Sequence, residues 1–197
     1  LPLMGRFRWA NFSLSPATVR SIVHLLSALV PFLYYDLLVP LGDLYAVSPL
    51  LFVLAALISI LIFDFLRIYF RWSVYGQRPY ERARLSSLSF LCIGISVVLC
   101  FAANRVVATA IIVSAAVADP LMGWLKGLRY DRFIVCLAGS GVVALCWWLV
   151  GAASAILTWQ LLAISCVTAL GEYPNWFWCD DDLLMQLLPL LLITVMQ

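Results

Sequence analysis

The stretch Arg105–Gly127, RVVATAIIVSAAVADPLMGWLKG, decides how the rest of the chain is read. From Arg105 to Leu125 it has the length of a helix that crosses a bilayer, about 20 residues. It nevertheless closes on an aspartate, a proline and the single lysine of the chain, Lys126. An ionised carboxylate in hydrocarbon costs several kcal/mol, so Asp119 needs a partner, a metal ion or a water-filled pocket. Pro120 has no N–H and crowds the preceding turn, which predicts a kink or a break. Gly123 and Gly127 would then let backbone approach a ligand closely. Together these residues predict a broken helix lining a polar cavity. The competing reading is a structural kink with Asp119 paired to an arginine.

The composition gives this stretch its context. Of 197 residues 65% are hydrophobic and 11% charged, with a mean hydropathy of +1.05, whereas water-soluble domains carry roughly a quarter charged residues. A polytopic, all-α membrane bundle follows. Apolar runs place seven spans at Thr18–Pro40, Ser48–Phe70, Leu85–Ala103, Arg105–Leu125, Arg132–Val150, Ala153–Leu170 and Leu183–Met196. The last is short and contains Pro189, a further candidate kink. Residues 1–17 form an N-terminal segment, and 18–197 a single transmembrane domain without repeats or linkers.

Threading the chain through these spans puts eleven of the twelve basic residues on one side: Arg6, Arg8, Arg20, Arg67, Arg71, Arg78, Arg82, Arg84, Lys126, Arg129 and Arg132. Only Arg105 lies opposite. The positive-inside rule makes the crowded side, including the N-terminus, cytoplasmic. Removing the span that opens this section would scatter the charges. Leu1 to Ser15 show no cleavable signal pattern, and the absence of an initiator methionine fits a processed or trimmed product. The six cysteines carry no C-x-x-C pair and there is one histidine, so a zinc site or disulfide framework is not expected; buried, inert thiols are.

Acids collect on the same side. Glu172 closes the sixth span, and Asp180, Asp181 and Asp182 precede the seventh, where acids favour a helix N-terminus and Asp182 could be the N-cap. Capping needs only one carboxylate. Three adjacent ones repel unless a cation or arginines neutralise them, which suits magnesium; a solvated acidic loop is the simpler alternative. Basic groups on this face, Arg20 with His24 one turn on, Arg78, Arg82, Arg84, Lys126, Arg129 and Arg132, suit phosphate oxygens as well as anionic lipid headgroups. On a helix His24 is read as a packing residue. Carboxylates for magnesium and cations for phosphates on one face are what phosphoryl transfer to a lipid alcohol requires.

These residues resemble the CTP-dependent polyprenol kinase family: dolichol, phytol and farnesol kinases and the yeast-type diacylglycerol kinase. Val19 to His24 looks like the family's opening R-x-x-x-H helix, and Phe63 to Arg67 like its acidic-L-R helix end. Tyr80-Glu81-Arg82 resembles the segment leading into its third helix. Val117 to Gly123 occupies the place of G-D-x-x-A, and Glu172, Pro174 and Asp180 to Leu183 that of E-x-L-P followed by D-D-N-L-x-x-P. Ala118, Met122 and Asp182 depart from that pattern, and the nucleotide loop is shortened to Lys126–Arg132, with Gly139-Ser140 echoing its end.

The resemblance implies a lipid alcohol as substrate, CTP as donor and Mg2+ as cofactor. It implies catalytic roles for Asp119 and Glu172, metal ligation by Asp119, Asp180 and Asp181, and nucleotide contacts from Lys126, Arg129, Arg132, Gly123 and Arg82. Membrane lipids are the expected surroundings; nucleic acid is not an expected partner. Two other readings stand beside it. One is a non-catalytic member serving as a structural or assembly subunit, with Trp147, Trp148, Trp176 and Trp178 suiting pigment, lipid or partner helices, or equally an interfacial belt. The other is a small transporter using Asp119. The motif of the CDP-alcohol phosphotransferases is absent, Asp131-Arg132 alone echoes phosphatidate cytidylyltransferase, and the seventh span has no lysine for a retinal Schiff base.

Overall fold

The computed structural model describes residues 15–173 and 179–196. Arg6, Arg8, Pro174, Trp176, Trp178 and all of the N-terminal segment before Ser15 lie outside them. The described residues form seven helical segments, one at each apolar run, and no strand.

Helix α1 (Pro16–Tyr45) starts on Ser15, whose Oγ accepts from the Thr18 N–H at 3.1 Å, with Pro16 preset for the first turn. It is not uniform. Pro31 and Pro40 each withdraw an N–H donor, and between them Leu33–Leu38 widens into π-helical turns. Left-handed Ala46 ends it. Then follow α2 (Pro49–Tyr69), α3 (Ser87–Phe101), α4 (Arg105–Gly127), α5 (Arg132–Leu149), α6 (Thr158–Leu170) and α7 (Asp181–Met196). Ser86, Asn104 and Asp131 cap α3, α4 and α5 with side-chain oxygens. The sixth helix begins at Thr158, later than its apolar run, because a 3-10 turn takes up Ala152–Ala155.

By length and composition α1, α2, α4 and α5 can each cross a membrane; α3 and α6 are apolar but shorter. Outward faces are apolar as well, with Leu44, Phe65, Phe101, Trp148 and Val195 among the exposed side chains. The chain is therefore compatible with an integral membrane protein.

The expected break at Pro120 does not occur. Helix α4 continues through it to Gly127. Proline costs the Ala116 carbonyl its usual donor four residues on, and hydrogen bonds on either side carry the helix past that gap. Around α4 pack α1, α3, α5 and α7, while α6 closes against α5 and α7. Its buried Ala108, Ala110, Ala115, Ala116 and Ala118 allow the close approach that a helix at the centre of an apolar bundle needs. At the end of α4 opposite Asp119, Arg105 pairs with Asp36 at 2.6 Å, so this base is neutralised by its neighbour on α1.

Glycine matters where α5 crosses α4. A Cβ on Gly139 would come within 2.3 Å of the Met122 Sδ, and Met122 is fully buried. Gly139→Ala should destabilise by about 1–3 kcal/mol through overpacking. Gly141→Ala, two residues on and facing open space, should be neutral or gain up to ~1 kcal/mol of helix propensity. Thermal unfolding in detergent compares the two, and equal melting temperatures would contradict the crossing. The cysteines are free, as expected, yet only Cys146 is buried; Cys100 and Cys166 lie on outward faces.

Candidate active site

Four segments bring ionisable groups together at one end of the bundle. Helix α4 carries Asp119, α1 carries His24 one turn beyond Arg20, and the residue pair after α6 supplies Glu172. Asp180, Asp181 and Asp182 come from the start of α7. The Asp180 carbonyl accepts from the Leu183 and Leu184 N–H groups, at 3.2 Å each, so Asp180, not Asp182, stands at the N-cap. That frees Asp182 to turn inward. Its carboxylate accepts from the Ser87 hydroxyl and faces the His24 Nδ1 at 3.4 Å. The same nitrogen lies 3.3 Å from Asp119 Oδ2. His24 is thus the group between two acids, not a packing residue, and no arginine–Asp119 pair is present among the described residues.

Three overlapping sets have potential ligand atoms within 4.8 Å of one another: His24, Asp119 and Asp182; Asp119, Glu172 and Asp181; and Asp180 to Asp182. Glu172 and the three aspartates are all buried, which excludes a solvated acidic loop. Cations offset part of this charge. Lys126 Nζ donates to Glu172 Oε1 at 2.6 Å, Arg84 Nη2 to Asp180 Oδ1 at 3.1 Å, and Arg78 Nη1 lies 3.9 Å from Asp181. Partners run out before the acids do: Glu172 Oε2 and Asp180 Oδ2 are buried without a donor among the described residues. Burial, then the Asp119 and Asp181 charges, push Glu172 up to about 9 against the pull of Lys126. Burial and Asp181 likewise push Asp180 up to about 7, although Arg84 and Arg78 oppose them. An all-oxygen set with orphaned buried carboxylate atoms fits a hard divalent cation such as magnesium.

The loop that presents Arg78 and Arg84 is held by a buried pair on α2. Arg67 Nε donates to Asp64 Oδ1 at 2.5 Å, while its Nη1 and Nη2 donate to the carbonyls of Glu81 and Arg84 at 3.1 and 2.8 Å. Asp64 Oδ2 in turn accepts from the Ser86 N–H and the Ser89 hydroxyl. These bonds fix the extended backbone at Arg84 that turns its side chain toward Asp180.

A cleft of about 480 Å³ opens onto the cluster, lined by Arg20, His24, Arg78, Asp119, Gly123 and Glu172 among others. Past Glu172, Lys126 and Arg132 line a second recess with Tyr130 and Tyr173. So Asp119, Glu172, Asp180, Asp181, Lys126 and Gly123 lie together at this end of the bundle. Arg132 reaches only the neighbouring recess. Arg82 does not join them; it faces a separate hollow with Arg71, Trp72 and Ser73. Arg129 sits at the end of α4 in a left-handed turn and lines neither the cleft nor the recess. Gly123 has open space before it and brings no backbone into close contact. Missing from the expected set were Ser87 and the direct role of His24, while Asp182, expected as a possible N-cap, instead faces both of them. A histidine four residues after an arginine in an apolar helix was the available signal, since both needed a polar destination.

No protein-family profile matches this chain, and no curated protein or solved structure matches it significantly.

Proposed function

We propose that the chain is a magnesium-dependent phosphotransferase acting on a lipid alcohol at the cytoplasmic face of a seven-span bundle, with CTP as the donor. One observation carries the reading: a buried group of carboxylates with orphaned oxygens, beside a cleft edged by Arg20 and Arg78. The basic end of the bundle supports its cytoplasmic orientation. CTP rests on the family resemblance alone.

Asp119, Glu172 and Asp181 would hold the cation, with Asp180 in the adjoining set that shares Asp181; when bound the cation supplies charge neutralisation to the phosphate oxygens. Arg20 and Arg78 would grip those oxygens as forked donors. Lys126 holds Glu172 in place and screens its charge. His24, between Asp119 and Asp182, is the candidate acceptor for the proton that the alcohol loses on transfer. Expected is label transfer from γ-labelled CTP to phytol, dolichol or diacylglycerol by purified protein with Mg2+. No transfer to any of them, beside an active dolichol kinase control, overturns the reading.

The commitment of Lys126 to Glu172 and the remote place of Arg82 and Arg129 favour one second reading, a non-catalytic subunit of a membrane complex. Purification in mild detergent should then bring down partners in fixed ratio, and a lone, active monomer contradicts it.

A further inference from the structure

A second concavity, of about 210 Å³, lies on the other side of His24, between α1, α2 and the segment leading into α3. Helices α1 and α2 make their main contacts through the Leu33–Tyr45 part of α1 and diverge toward the acid cluster. The divergence leaves a groove walled by Val19, Val23, Ile60 and Phe63. Both helices are apolar and long enough to span a membrane, so this opening faces the region where lipid chains lie.

The groove is apolar along its walls and polar at one end. There Glu81, only 2% exposed, carries an Oε1 with no hydrogen-bond partner among the described residues, and the Gln77 Nε2 is likewise unpartnered among them. A buried carboxylate oxygen lacking a donor calls for one. A hydroxyl supplies it, whereas a phosphodiester headgroup has no proton to give. Two further lining residues, His24 and Ser87, both touch Asp182, so the polar end of the groove abuts the acid cluster. We infer that this groove binds the aliphatic chain of a hydroxyl-bearing lipid, entering between α1 and α2, with the hydroxyl at Glu81 and Gln77 beside His24. The inference deepens the phosphotransferase reading and rests on it for the role of the neighbouring acids, but binding is measurable without turnover.

The test uses hexadecanol carrying a chain diazirine and its methyl ether, photolysed with the purified full chain in detergent, with adducts mapped by mass spectrometry. Adducts should concentrate at Val19, Val23, Ile60 and Phe63, with the ether labelling about tenfold more weakly for want of the donated hydrogen bond. Val23→Trp should abolish the groove adducts, and unlabelled hexadecanol should compete in the wild-type chain even if that variant fails to fold. Equal labelling by alcohol and ether overturns the proposal. So does labelling spread over outward positions such as Leu137 and Val195 that unlabelled alcohol leaves unchanged. Groove labelling without phosphate transfer removes the enzymatic reading and keeps the groove; transfer without groove labelling does the reverse.

Discussion

Asp119→Asn should lower the turnover of phosphate transfer by ~10²–10³, the usual cost of removing one charge-stabilising group from a phosphoryl or acyl transfer site, while leaving the melting temperature equal or higher. The two halves of this result come from one geometry. Asp119 sits within ligand distance of Glu172, Asp181, His24 and Asp182, so the asparagine removes a negative charge from among acids that repel it. The folded protein loses a favourable charge contact with His24, 3.3 Å away, while the hydrogen bond shared with Glu172 keeps an acceptor in the asparagine oxygen. Asparagine retains the shape and one oxygen. A cation bound there loses a charged ligand, and Mg2+ affinity measured by calorimetry should fall alongside turnover. If Asp119 served only to anchor a kinked helix, the order would reverse: stability would drop and residual activity would follow the folded fraction. Undiminished turnover in the variant would remove Asp119 from the site altogether.

The sequence showed why acids should gather but not how. Apolar runs gave the helix positions because burying or lipid-exposing some 20 residues at a time leaves few alternatives. They could not show the π-helical turns at Leu33–Leu38, or that α4 would pass through Pro120, because each depends on which neighbours absorb a missing hydrogen bond. Asp119, Glu172 and the triple aspartate were legible as candidates since each is a costly charge in an apolar chain. Arg82 and Arg84 were not separable by sequence. They differ by two residues across the end of a 3-10 turn, and Arg84 turns inward because Arg67 on a different helix binds its carbonyl. The Asp64–Arg67 pair was visible only as part of a resemblance; its work is long-range, reaching 14 to 25 residues along the chain. Ser87 gave no signal at all, since a serine near a helix start reads as a cap.

The metal-free protein should lose stability as pH rises from about 5 to 9, and Mg2+ should restore it most at the high end. Glu172 and Asp180 stand above ordinary carboxylates, at about 9 and about 7, chiefly because they are buried among like charges. A group raised in the folded state binds its proton more tightly there than when unfolded. Its stabilising share is whole below the unfolded value, 4.5 for Glu172 and 3.8 for Asp180, and is lost as pH climbs through the folded one. Asp180 therefore gives up its share first, and Glu172 follows nearer pH 9. A divalent cation replaces the protons, so its affinity must rise over the same interval. At a hundredfold excess over its dissociation constant a ligand adds about 2.7 kcal/mol, which for a chain of this size is a shift on the order of 5–10 °C in melting temperature. Unfolding scans in EDTA and in saturating MgCl2 at pH 6 and pH 9 read both effects. A melting temperature in EDTA that is flat across that range, or a Mg2+ shift no larger at pH 9 than at pH 6, would show that the cluster is neutralised from within the protein. Lys126, Arg78 and Arg84 would then be sufficient counter-charges and no cation would be needed to complete the site.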